Sequence, residues 1–194
     1  MLQKYRSNAL KFIMFGMLIF LSSCKEIEKV IEYLGPQTTP GQDRTFGEID
    51  DDQRIAALSV DRIGIEYPNS QRRIDYRVYQ GRVLLVGIAA DLEERSRISA
   101  IIRTLKGVRD VINELEIGSD TKEIQPNIIA EDKLRQRLSS DNQVVAVNYQ
   151  FRIIGGVVYI IGAARTKEEL DLVKKHAASV PWVERVVSYI KVRN

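Results

Sequence analysis

The sequence predicts an α+β protein of two tandem small domains, each running helix–strand–strand–helix–strand, with a three-stranded mixed sheet packed on two helices. Three observations point there. Residues 76–117 lie on residues 151–192 at a constant offset of 75 without a gap, so the chain carries a duplication of one structural unit. Within each copy the apolar period changes from two, the mark of a half-buried strand, to the three-and-four spacing of one helix face. Gln80-Gly81 and Gly155-Gly156 separate the first two strand-like runs by a tight turn.

The repeat is carried by Arg77 with Arg152, Gly81 with Gly156, Val83 with Val158, Gly87 with Gly162, Ala89 with Ala164, Val108 with Val183 and Val111 with Val186. An amphipathic helix opens the first copy near Asp50–Asp52, carries Ile55, Leu58 and Ile63, and stops before Pro68; its counterpart follows Pro126 and carries Ala130, Leu134 and Leu138. Ile74, Tyr76 and Val78 alternate with Arg73, Asp75 and Arg77 as a first strand, and Tyr149, Phe151 and Ile153 repeat the pattern. The second strands, Val83–Val86 and Val157–Ile161, are apolar on both faces. A sheet covered by helices on one side normally shows water its other side, so these second faces are expected to pack on the sister domain. A second helix then begins with Asp91 and Glu94 in one copy and Thr166 and Glu169 in the other, the spacing of a capping box. Ile98, Ile101, Ile102 and Leu105 form its apolar stripe. Gly107 ends it and Pro181 ends its partner, before third strands at Val111, Leu115, Ile117 and at Val186, Ile190, Val192.

Ahead of the repeat, Lys4, Arg6 and Lys11 precede an apolar run from Phe12 to Leu21. About ten apolar residues are too few to cross a hydrocarbon core that needs about twenty. A basic start, a short apolar run and small residues before a break read as a secretory leader. Leu21-Ser22-Ser23-Cys24 resembles a bacterial lipobox, which implies cleavage before Cys24 and lipidation of its thiol. The expected organisation is a leader over residues 1–23, a lipid-anchored tether over 24–45, a first domain over 46–118 and a second over 119–194. In the tether, Ile27, Val30, Ile31 and Leu34 would line one side of a short helix, and Gly35-Pro36 and Pro40-Gly41 punctuate a polar linker. Removing the leader takes three of the 29 basic residues and none of the 26 acidic ones, leaving 26 of each. The pI near 8.9 thus overstates the basic character of the processed chain, and no nucleic-acid partner is expected. With the single cysteine acylated, no disulfide or thiolate metal site is expected.

Enzymatic chemistry is not expected. His176 is the one histidine, and it takes the place of Ile101 on the second helix of the other copy. A position at the core edge suits it better than a catalytic one. Glu93, Glu94, Glu168 and Glu169 sit where the positive end of a helix dipole favours carboxylates. Gly155-Gly156 belongs to a hairpin, not to a phosphate-binding loop, and no cofactor is expected. Trp182, in the turn before the last strand, is expected to pack.

The turn at Gly81, the run Val83-Leu84-Leu85-Val86-Gly87, the helix, and Gly107-Val108 through Val111-Ile112-Asn113-Glu114-Leu115 together resemble the bacterial OsmY and nodulation domain, BON. Arg44-Thr45-Phe46-Gly47 followed by Asp50-Asp51-Asp52 resembles the start of the first such domain. Two of them behind a lipobox are similar to the dual-BON outer-membrane lipoproteins, and the likeness covers roughly residues 44–194. It implies a lipid-anchored protein of the outer membrane, facing the periplasm, that binds anionic phospholipid and supports envelope integrity. Action at division sites and a partnership with outer-membrane assembly machinery are implied by the resemblance alone.

The first helix of the second domain is the candidate contact. With Ala130, Leu134 and Leu138 facing the core, Ile128 and Ile129 project about 120° and 140° from Leu134, on opposite sides of the buried stripe. Lys133, Arg135 and Arg137 flank them, a combination suited to anionic headgroups. In the related lipoproteins this helix is implicated in phospholipid binding and carries an aromatic residue near its start; here the matching region has none. A helix that began later, near Glu131, would instead place the two isoleucines under the linker. A rival reading is a protein-binding or holdase-like module using the apolar sheet face, and a third is a subunit of a secretion or surface-polymer assembly.

Overall fold

A computed structural model describes residues 44–118 and 124–193, all within one compact unit, Thr38–Asn194. The leader, Cys24, the amphipathic stretch after it and the linker up to residue 43 lie outside the described residues.

Helix α1 (Phe46–Glu66) opens the first domain. It starts four residues earlier than the apolar spacing suggested, because its start is set by a polar cap. Thr45 accepts from the Glu48 N–H, and Glu48 reaches back to the Thr45 N–H at 2.8 Å, a full capping box. Ile55, Ser59 and Ile63 face the core four residues apart, and the Ser59 hydroxyl is satisfied by donating to the Ile55 carbonyl at 2.8 Å. The helix closes before Pro68, as expected. Strands β1 (Ile74–Tyr79) and β2 (Arg82–Ala89) pair antiparallel, Ile74 opposite Gly87 and Tyr79 opposite Arg82. Gln80 and Gly81 both take positive φ, 51° and 71°, the two-residue turn whose twist matches the strands. Helix α2 (Leu92–Arg103) then returns the chain so that β3 (Asp110–Ile117) lies parallel to β2.

The second domain repeats the unit: α3 (Ile128–Ser140), β4 (Tyr149–Ile154), β5 (Val157–Ala164), α4 (Lys167–Ala178) and β6 (Arg185–Val192). Each sheet places its second strand in the centre. The offset of 75 extends into the first helices, where Ile55, Ser59 and Ile63 correspond to the buried Ala130, Leu134 and Leu138. Just before the second domain, Ile124 donates to the carbonyl of Arg72, ahead of β1, at 3.0 Å, and Asn127 donates to the Ile153 carbonyl on the free edge of β4 at 2.8 Å.

The caps of the second helices differ from the expected box. Asp91 and Thr166 do accept from Glu94 and Glu169 N–H. The glutamates, however, reach one residue further back, to the N–H groups of Ala90 and Arg165. Burial explains the longer reach. Glu94 also accepts from the Ser70 hydroxyl and the Arg73 guanidinium, and Glu169 from the Val145 N–H at 2.8 Å. Each glutamate thereby ties the loop before its sheet to the helix start, which a solvent-facing box would not do.

Alternation along the central strands divides the core. Val83 and Leu85 face the helices with Ile55, Ile98 and Ile102, and Val158 and Ile160 face Leu134, Leu138 and Val173. The opposite faces meet each other. Tyr79, Leu84 and Val86 of the first sheet pack on Tyr159, Ile161 and Ala163 of the second, so the two-sided apolar strands find their partner in the sister domain. Polar ties border this seam. Arg77 donates to the Phe151 carbonyl at 3.0 Å, Arg82 to the Tyr189 carbonyl at 3.0 Å, and the Tyr189 hydroxyl to Glu114.

Candidate functional site

Asn127 fixes where α3 begins: its side-chain oxygen accepts from the Ala130 N–H at 3.0 Å, an N-cap bond. The helix therefore includes Ile128 and Ile129, and the later start near Glu131 does not occur. Both isoleucines point out, 54% and 64% exposed. Water gains nothing from two large aliphatics on a first helical turn, and their sister positions in α1 are Gln53 and Arg54. The same fold position is polar in one copy and apolar in the other, so packing does not demand isoleucine there.

The charges around them are arranged by the fold. Glu131, on the same helix, is turned inward and buried. It accepts from the Ile153 N–H at 2.9 Å and pairs with Arg152 at 3.2 Å. Arg152 also pairs with Asp75 of the first domain at 2.5 Å, so this acid–base chain runs into the seam and off the surface. Lys133 lies over the Trp182 ring at 4.7 Å, Arg135 over the Phe151 ring at 5.2 Å, and Arg137 donates to the Ser179 hydroxyl at 3.2 Å. By helical geometry Ile129, Lys133 and Arg137 form one row about 40° apart, and Ile128 and Arg135 sit on the other flank. The five candidate residues of α3 thus stand on two flanks of one helix, Ile129, Lys133 and Arg137 on the side of Trp182, with Asp132 as an exposed acid on the same helix. Cys24 lies outside the described residues.

Trp182 is the correction. It does not pack in the core: it is 59% exposed, with φ +69°. The expectation of packing followed from its place in a turn, which says nothing of the side the indole takes. What could have revealed it is the repeat, since offset 75 puts Trp182 on Gly107. Gly107 has φ +94°, and a Cβ there would stand 3.3 Å from Ile55 Cδ1. In the second domain the residue at the place of Ile55 is the smaller Ala130.

His176 holds the core-edge position expected of it. Its Nε2 lies 2.7 Å from Asp141 Oδ2, joining the C-terminal ends of α4 and α3. That hydrogen bond, with a second from the Gln143 N–H, holds the Asp141 carboxyl below the usual range. Arg137, Ser140, Asp141, Asn142 and His176 line a shallow hollow there. No group of three or more His, Cys, Asp or Glu is placed to hold a metal ion among the described residues. No helix among them is long and apolar enough to cross a membrane.

The sequence profile of the BON domain matches residues 51–119 and again residues 129–194. The chain belongs to the BON-domain family. Among its relatives is the outer membrane lipoprotein DolP of Haemophilus influenzae, 21% identical over 192 residues that cover 92% of this chain and 93% of DolP. An uncharacterized protein encoded in the gshII 5′ region of Anaplasma centrale is 29% identical over 124 residues, 62% of this chain and 82% of its own. Among solved structures, CdsD, a structural protein of the type III secretion system of Chlamydia trachomatis, aligns with a TM-score of 0.30 at 9% identity, covering 71% of this chain and 91% of that one. The two matches establish the dual BON resemblance, and the chain is similar to DolP along nearly its whole length.

Proposed function

We propose that this BON protein is a non-enzymatic envelope lipoprotein, anchored through Cys24 in the outer membrane, that binds anionic phospholipid through α3 and supports outer-membrane integrity. The observation that carries the reading is the pair Ile128 and Ile129, exposed on the first turn of α3 where the sister helix has Gln53 and Arg54. Apolar tips beside Lys133, Arg135 and Arg137 match an interface whose acyl region lies just beneath negative phosphates. The likeness to DolP along nearly the whole chain supports the envelope setting and the lipid anchor. The holdase-like alternative loses its main support, because the apolar sheet faces it needed are packed on one another. Activity at division sites and contact with outer-membrane assembly machinery rest on resemblance, and belong to the same proposal.

Vesicle co-sedimentation tests the lipid contact. The fragment is best started at Thr38, the beginning of the compact unit, which keeps buried Arg44 and the Thr45 cap and leaves out the anchor. Binding to phosphatidylglycerol vesicles and not to phosphatidylcholine vesicles is expected. Ile128→Ser with Ile129→Ser should abolish it while changing stability by no more than about 0.5 kcal/mol, as for other exposed sites. A folded wild type that ignores anionic vesicles would sink direct lipid binding.

A further inference from the structure

Resting on the lipid-binding reading above, we propose that Trp182 is a second apolar anchor of that site, inserted with Ile129 into the interface of an anionic bilayer and held in place by Lys133. None of the comparisons with known proteins assigns this residue a role.

Three features converge on it. Trp182 is a large aromatic more than half exposed, whereas the other aromatics among the described residues, Phe46 apart, are drawn into the cores or packed against them. It occupies left-handed backbone, which bulky side chains rarely adopt and which costs free energy unless the surroundings hold it. The sister turn meets the same need with Gly107, so the fold offers an unstrained solution that this position does not use. Substituting the bulkiest side chain for the least bulky there, and leaving it in water, has no packing rationale.

The placement supplies one. Lys133 covers the indole face at 4.7 Å, and Lys133 follows Ile129 by one helical turn on the same row of α3. Arg137, one turn further, reaches Ser179 in the same loop that carries Trp182. The aromatic and Ile129 therefore flank a common cation. Indole prefers the boundary where an apolar body is buried and its N–H stays wet. A lysine stem can lie along that boundary while its ammonium remains at phosphate depth. All three positions differ from the first domain, where Arg54, Leu58 and Gly107 stand. The contact surface thus spans two elements, the first turn of α3 and the turn before β6, and the second domain owns it.

The protein contains one tryptophan, so its emission reports this residue without labelling. The full lipid-anchored chain would be reconstituted in vesicles with brominated acyl chains, either phosphatidylcholine alone or with phosphatidylglycerol. Hydrogen exchange over residues 127–140 would be followed in parallel. The expected result is a blue shift and quenching of Trp182 on phosphatidylglycerol vesicles only, with slowed exchange in α3. In Trp182→Gly, which copies the sister turn and should fold as judged by circular dichroism, the slowing should drop about tenfold, the effect of 1.4 kcal/mol. Slowed α3 exchange with unquenched Trp182, or unchanged slowing in Trp182→Gly, overturns the role of the tryptophan and leaves lipid binding by α3 standing. Equal quenching on both vesicle types also overturns it, because the tether alone would then explain the contact. Neither quenching nor slowing overturns the lipid-binding reading itself.

Discussion

Leu84→Ala tests whether the two sheets share one core. Leu84 is fully buried on the β2 face that looks away from its own helices, against Tyr159 and Ile161 of the other domain. The change removes three carbons at about 0.8 kcal/mol each, roughly 2.4 kcal/mol of transfer free energy. A residual cavity between two stiff sheets adds to it, giving about 3–4 kcal/mol in all. For a compact unit of this size each kcal/mol moves the midpoint by about 2–4 °C, so Tm should fall by about 10 °C. Leu92→Ala, at a residue 69% exposed, should change stability by no more than about 0.5 kcal/mol. Thermal unfolding followed by circular dichroism gives the first number, and hydrogen exchange shows where the loss is felt. Because the cavity opens at the seam, exchange should accelerate in β5 as well as in β2. A loss below about 1 kcal/mol, or acceleration confined to the first domain, would refute the shared core.

Asp52→Ala should be nearly as costly. The buried carboxylate accepts from Arg44 and from the Gln80 and Gly81 N–H groups, each at 2.8 Å, and its loss strands a buried guanidinium and two turn amides for about 3–5 kcal/mol. Asp52→Asn keeps an acceptor and should cost visibly less in denaturant melts; equal costs would show that the bonds to the turn do not matter. Acid stability should depend on Glu169. Burial pushes this carboxyl up, but hydrogen bonds from the Val145 N–H and from the Arg165 guanidinium and N–H outweigh it, and the net value is lowered. A lowered folded value gives stability that is present above about pH 4.5 and lost as pH falls through the folded value. Glu169→Gln should flatten that acid limb, and an unchanged limb would count against the arrangement. On the alkaline side, burial pushes Tyr76 up to about 12, with Asp75 adding to it, and pushes Tyr189 up to about 12, with the bond to Glu114 adding to it. Their stabilisation is full below the unfolded tyrosine value near about 10 and is lost as pH rises to the folded value. Spectrophotometric titration should leave both un-ionised at pH 11; release of both protons near 10 would contradict their environment.

Apolar pattern and repeat made most of the fold legible. Strand alternation, the two hairpin turns and the helix stripes need only local spacing, and the doubly apolar Val157–Ile161 announced a second packing surface. What escaped was governed by polar groups acting over distance. The start of α1 depended on Thr45 and Glu48, outside the apolar period. Glu94 and Glu169 bond one residue beyond the capping box because they are also drawn to Arg73, Ser70 and Val145, contacts that spacing along the chain does not encode. For the site, the exposure of Ile128 and Ile129 followed from helix geometry once Leu134 was known to be buried. The inward turn of Glu131 is not encoded by spacing along the helix, because its partner Arg152 lies on a strand 21 residues away. Trp182 was misjudged because a turn residue can face either way.

The back-to-back sheets divide each copy into a side that must fit its twin and a side that need not. At the seam a change in one copy meets the other at once, so Tyr79, Leu84 and Val86 on one side and Tyr159, Ile161 and Ala163 on the other can vary only in concert. The helices pointing outward carry no such obligation. That freedom is where the two copies have parted company: Gln53, Arg54 and Gly107 in one, Ile128, Ile129 and Trp182 in the other. Joining two sister halves through their sheets thus turns a near-symmetric scaffold into a molecule with a blank side and a written one.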